Sequence, residues 1–248
     1  MEKLMKDILQ DIVSHTQSLA FLTMLKVSPD TDTTVIESIA DDRSVILKAN
    51  THNKIEEFSD VFGMPDLQKL AYHLKNPEYA QNAKLTVETD ERNGETVPTH
   101  IHFENANGDF HNDYRFMDKS IIEEKLKSVK SKVSSWDVVF EPSVASIQRL
   151  KLMAGTLDGD DKLFQVKTED GNLNFYFGDL NTHAGMFTFQ HAVTGTLRNV
   201  WAWPHEAVQK ILNLDGDKTV SITDQGAMMI TVDSGLAKYD YILPAQQK

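Results

Sequence analysis

The chain has 248 residues, 40% hydrophobic and 25% charged, enough for two ordinary cores. A formal charge of −12 excludes a protein that coats nucleic acid with its whole surface, though not a local basic face. There is no cysteine, hence no disulfide or thiolate chemistry, and no apolar run fit for a signal peptide or membrane span, so a soluble cytoplasmic protein is expected.

Leu4, Ile8, Leu9, Ile12 and Val13 recur at helical spacing opposite Lys3, Lys6, Asp7 and Asp11, which predicts an amphipathic first helix. Three short β-rich runs follow, Phe21–Val27, Val35–Ile39 and Ser44–Ala49, bounded by turn residues. A second helix is predicted over Met64–Leu74, with Pro65 and Asp66 in its first turn. Lys84–Thr89, His100–Glu104 and Phe110–Met117 read as strands joined by turns at Asn93-Gly94 and Asn107-Gly108. Asp118–Ser135 is charged and poor in aromatics, and reads as a helix or a connector between halves.

The order then repeats. Ser143 is a plausible N-cap for a helix burying Val144, Ile147, Leu150 and Ala154 and ending at Gly155. Strands are predicted at Phe164–Thr168, Leu173–Phe177 and Met186–Val193, and a fourth helix at Trp203–Leu214. Thr219–Thr223, Ala227–Val232 and Tyr239–Leu243 close the chain as strands. MPDLQKLAYHL and WPHEAVQKILNL echo each other, as do Asp113-Tyr114 and Asp240-Tyr241. The pattern predicts an α+β protein of two similar domains, 1–120 and 136–248, joined by a connector at 121–135, each with two helices on antiparallel sheets.

Familiar catalytic motifs are missing: no Walker loop, GxGxxG or GxSxG elbow. No catalytic residue, cofactor or metal is assigned. His100 and His102 share a strand face and could ligate a metal, but the sequence places no third ligand, and a polar strand face is the expected reading. LDGDDK, Leu157–Lys162, lacks the spaced oxygens of a calcium loop and reads as a turn. The helices are more informative, because their outward faces carry Lys3 and Lys6, then Lys69, His73 and Lys75, then Arg149 and Lys151, then Lys210. The third of them has no acid between Ser143 and Ala154, in a chain with 37 acids.

FEPSVASIQRLKLMAG, LFQVKTEDGNLNFYFGD and the long run from WPHEAVQKILNL to DYILPAQ follow the order of elements in DNA sliding clamps, and the chain resembles that family. The directly opening helix is most similar to clamps of T-even-like bacteriophages; the nuclear-antigen clamps share the fold. The resemblance implies a non-enzymatic homotrimeric ring, sheets outside and helices inside, that encircles double-stranded DNA and tethers a DNA polymerase. A clamp loader and late-transcription factors would be further partners, and host cytoplasm the location if the source is viral.

The same resemblance puts Lys3, Lys6, Lys69, His73, Lys75, Arg149, Lys151 and Lys210 toward DNA. It implies a partner-peptide pocket at Val45, Leu47, Met228, Tyr241 and Leu243, and a subunit interface through Phe110, Tyr114 and Phe116 of one copy and Met186, Phe187 and Phe189 of the next. The lysine-rich connector departs from the phage pattern. The competing readings are a soluble α+β ligand-binding protein or enzyme built on His100 and His102, and a structural phage protein.

Overall fold

The computed structural model describes residues 2–92, 94–127, 133, 135–156, 162–178 and 184–246, with side chains from residue 5 onward. They fall into two units: Met1–Val129 with Ser234–Tyr239, and Lys130–Asp233 with Asp240–Lys248.

In the first unit, α1 (Glu2–Ser14) turns Met5, Ile8, Leu9, Ile12 and Val13 inward, as its periodicity predicts. Strands β1 (Leu25–Pro29), β2 (Thr34–Ile39), β3 (Ile46–Thr51) and β4 (Phe62–Met64) form an antiparallel sheet in the order β4-β1-β2-β3. At the β3 end lies the start of β15 (Ala237–Pro244), where His52 N–H donates to Leu236 O at 2.9 Å. Helix α2 (Leu67–Lys75) packs beside α1 and buries Leu67, Leu70, Ala71 and Leu74. A separate three-stranded sheet, β5 (Lys84–Arg92), β6 (Glu95–Glu104) and β7 (His111–Arg115), runs in sequence order.

Helix α3 (Lys119–Lys125) occupies the first part of the connector segment. Asp118 caps it, its carboxylate accepting from Ser120 N at 3.1 Å. Ile122 is fully buried on Gly63 of β4, where an added Cβ would stand 2.9 Å from the Ile122 side chain. Met117 and Gly63 exchange backbone hydrogen bonds beside this contact, at 2.7 and 2.9 Å.

In the second unit, β8 (Val138–Phe140) precedes α4 (Val144–Thr156). Ser143 does cap α4, its Oγ accepting from Ser146 N at 3.1 Å. Strands β9 (Leu163–Glu169), β10 (Asn172–Gly178), β11 (Ala184–Gln190) and β12 (Trp201–Pro204) form the sheet β11-β10-β9-β12. The β9–β10 turn is Asp170-Gly171, both at positive φ, as a tight hairpin requires. Rings of Phe164, Phe175, Phe177 and Phe189 stack on its inner face, with Phe175 and Phe189 centroids 4.3 Å apart. Helix α5 (His205–Leu212) lies beside α4, and β13 (Asp217–Thr223), β14 (Ala227–Asp233) and the end of β15 form the order β15-β14-β13-β8.

The α+β class and the pairing of helices with antiparallel sheets match the sequence reading. Several boundaries differ. Met64 and Trp203 do not start helices: both are buried in short strands, β4 and β12, and each proline separates a strand from a helix. Four strands, not three, therefore lie between the helices of each half. Asp66 sits at φ 49° and does not cap α2 with its side chain. Val144 is 72% exposed, while Ser146, Leu150 and Ala154 form the buried face of α4, which runs through Gly155 to Thr156. The LDGDDK turn lies outside the described residues up to residue 161.

Candidate nucleic-acid interface and strand edges

The helix cations are engaged to very different degrees. On α1, Lys6 donates to the Tyr79 and Ala80 carbonyls at 2.6 and 3.3 Å, so it anchors the chain after α2 and is not a free charge. The Lys3 side chain lies outside the described ones. On α2, Lys69 is exposed and pairs with Asp66 at 3.1 Å, whereas Lys75 is exposed with no ion pair among the described residues. His73 is half-buried and stacks on Phe103 at 5.1 Å. Burial pushes its pKa down, which favours the neutral ring.

In the second unit, Arg149 and Lys151 stand exposed on α4, which has no acid along its length. No ion pair among the described residues engages either. Lys210 on α5 pairs with Glu206 one turn earlier at 2.9 Å. The strongest free cations are thus the pair on α4, followed by Lys75.

The expected peptide pocket needs correction. Val45, Leu47, Met228, Tyr241 and Leu243 are each at most 1% exposed. The resemblance implied a pocket there, and these side chains instead lie in the core, where a docking peptide does not reach them. Trp203 Nε1–H donates to Leu243 O at 3.0 Å, which closes that end of the second core further.

The expected interface strands β7 and β11 are both sheet edges, hydrogen-bonded on one side among the described residues. Their named side chains mostly face inward. Tyr114 is buried, its hydroxyl donating to Pro65 O; Phe116 stacks on Phe62 at 4.1 Å; Phe187 and Phe189 belong to the phenylalanine stack. Phe110 precedes β7 and leans on Tyr79. Met186 alone of the six is more than half exposed, at 51%. The edges differ in charge: β7 reads HNDYR, and β11 reads AGMFTFQ, without a charge or a proline.

On the outer face of the β5-β6-β7 sheet, Asp113 gathers the two strand histidines, 2.7 Å from His102 Nδ1 and 3.7 Å from His100 Nε2. The His102 hydrogen bond holds Asp113 below the usual carboxylate range. Among the described residues no three metal-ligating side chains converge. None of the helices among the described residues is long and apolar enough to cross a membrane.

No family model and no curated protein matches the sequence. Solved structures do match the fold. PCNA from Thermococcus kodakaraensis aligns with a TM-score of 0.65 over 96% of this chain and 97% of its own, at 12% identity. A. fulgidus PCNA, in a complex with the C-terminal region of FEN-1, aligns with a TM-score of 0.66 over 98% and 96%, at 10% identity. The chain therefore has a PCNA-like clamp fold. At that identity the likeness is one of fold, and it does not single out the bacteriophage clamps.

Proposed function

We propose that this protein is a DNA sliding clamp, a homotrimeric ring that encircles duplex DNA and tethers a replicative polymerase. The observation that carries the reading is the pair of edges left by an internal duplication. The order β4-β1-β2-β3 in the first half corresponds to β12-β9-β10-β11 in the second, and β5-β6-β7 corresponds to β13-β14-β15. By that correspondence β3 matches β11, and β15 matches β7. Strand β3 already lies beside the start of β15. Their counterparts β11 and β7 lack that pairing among the described residues, and a second copy of the chain can supply it. Such a contact is head to tail, so it closes into a ring or runs on as a filament.

An uncharged, seven-residue edge with an exposed methionine also argues for a strand that is covered in use. The exposed Arg149 and Lys151 suit phosphate contacts, which carry no sequence information and so permit sliding. Lys75 adds a further exposed charge, and Lys69 and Lys210, each in an ion pair with a nearby acid, add exchangeable charge. The clamp would have no reaction of its own. A loader to open the ring, and late-transcription factors as further clients, belong to the same proposal.

Light scattering behind gel filtration tests it, together with retention on DNA. A trimer mass is expected, with retention on circular duplex and loss on linear duplex. Replacing Met186 and Thr188 with lysine should give a folded monomer that circular DNA no longer holds. A wild-type chain that stays monomeric at every concentration, and is not retained on circles after loading, would overturn the reading.

A further inference from the structure

Helix α2 has a feature that neither core packing nor phosphate contact explains. Tyr72 is 68% exposed on a helix whose leucines all face inward. It makes no ring contact, and its hydroxyl no hydrogen bond, among the described residues. Lys69 and Lys75 lie three positions before and after it, on the same face, spanning about 9 Å of helix axis. The helix itself contains no acid. Asp66, just before the helix, touches Lys69 at 3.1 Å in a pair exposed on both sides, which a phosphate can replace at little cost. His73, packed on Phe103, fixes the helix from below without adding to the exposed face.

An exposed aromatic ring between two ammonium groups matches what proteins use on single strands: a base stacks on the ring while cations follow the backbone. A duplex hides its base faces, so the ring finds a full partner only in an unpaired nucleotide. We infer that α2 holds a stacking site for an unpaired base of single-stranded nucleic acid, with Tyr72 as the platform and Lys69 and Lys75 on the flanking phosphates. The inference rests on the reading of α2 as a nucleic-acid-facing helix. It adds that the wall tells single-stranded from duplex stretches.

The test uses the full chain and a labelled oligothymidylate of about 20 nucleotides at low salt, followed by fluorescence anisotropy. Tyr72→Ala should weaken binding by about 5- to 100-fold, and Tyr72→Phe should bind like wild type. Lys69→Gln and Lys75→Gln should each lower the slope of log affinity against log salt by about 0.7. A strand of the same length with abasic sites should bind wild type as weakly as the normal strand binds Tyr72→Ala. Wild-type affinity in Tyr72→Ala, full affinity for the abasic strand, or no binding by wild type at low salt would each overturn the site. Retention of the same variants on circular duplex separates the two readings. Retention without Tyr72-dependent stacking leaves the clamp and removes this site; stacking without retention does the reverse.

Discussion

Lys6 on α1 and Arg149 on α4 sit on corresponding helices of the two halves, yet one is tied and the other free. Lys6 closes onto two backbone carbonyls, while Arg149 and its neighbour Lys151 project from an acid-free helix. The edges differ in the same way. Strand β7 carries His111, Asp113 and Arg115, and β11 carries no charge at all. A shared backbone plan therefore does not distribute function evenly. On the first helix of the first unit the cation holds the unit together, and on the first helix of the second the cations remain available to a ligand. A decoration of basic residues counted from sequence would miss this, because a lysine bonded to carbonyls is a structural cation.

The contrast can be broken by substitution. The largest effect is expected in the phenylalanine stack, where Phe175→Ala should cost about 3–5 kcal/mol by leaving a cavity, read from urea unfolding. Next, Arg149→Glu with Lys151→Glu should leave fold and trimer mass unchanged. The salt-dependence slope of DNA retention should fall by about two, one per cation removed. An unchanged slope would mean that α4 does not meet DNA.

Lys6→Met should behave in the opposite way. It should lower stability by about 1–3 kcal/mol, because charged hydrogen bonds to carbonyls are lost, with the slope preserved. The smallest effects concern acid sensitivity. Burial alone would raise the Asp11 pKa, but hydrogen bonds from His15, Tyr239 and Ser234 outweigh it and hold the carboxyl low. In the second unit Lys167, Tyr176 and Asn174 hold half-exposed Glu169 at about 2. Depressed carboxylates stabilise above their unfolded pKa, and that contribution is lost as pH falls through the folded one. Asp11→Asn and Glu169→Gln should each flatten the acid limb of stability against pH, Glu169→Gln between pH 4.5 and about 2. A limb as steep as wild type would mean that these carboxylates keep ordinary pKa values in the folded chain.

Sequence alone conveyed the α+β class and the repeated order, because helical and alternating periods are set by which side chains face a core. It mislaid β4 and β12 because a short strand before a proline, such as FGM or WAWP, looks like the apolar start of the following helix. Helix α3 was left open since its charged segment offers one fully buried side chain, Ile122, too few to make a period. Val144 was assigned inward because apolar residues occur on more than one side of α4, Val144 and Leu152 being exposed, so its stripe is poorly defined.

The site was less legible than the fold. Alternation identifies apolar strand residues without saying whether the face opens to a pocket or closes into a core, and Val45 and Leu47 prove to be core. Lysine positions were readable; that Lys6 reaches a carbonyl 73 residues away was not. The lack of charge in AGMFTFQ was visible from the start, and its meaning emerged once β11 stood at an edge.

The Gly63–Ile122 contact has a bearing on which sequences this architecture tolerates. With Ile122 pressed against the bare Cα of Gly63, the two positions share one volume. In a randomised library they should vary as a couple: alanine at 63 survives chiefly with a smaller residue at 122, while isoleucine at 122 demands glycine. Such linked variation between an edge strand and the helix after it would mark, in related sequences, which chains fasten this segment to β4 and which let it run differently.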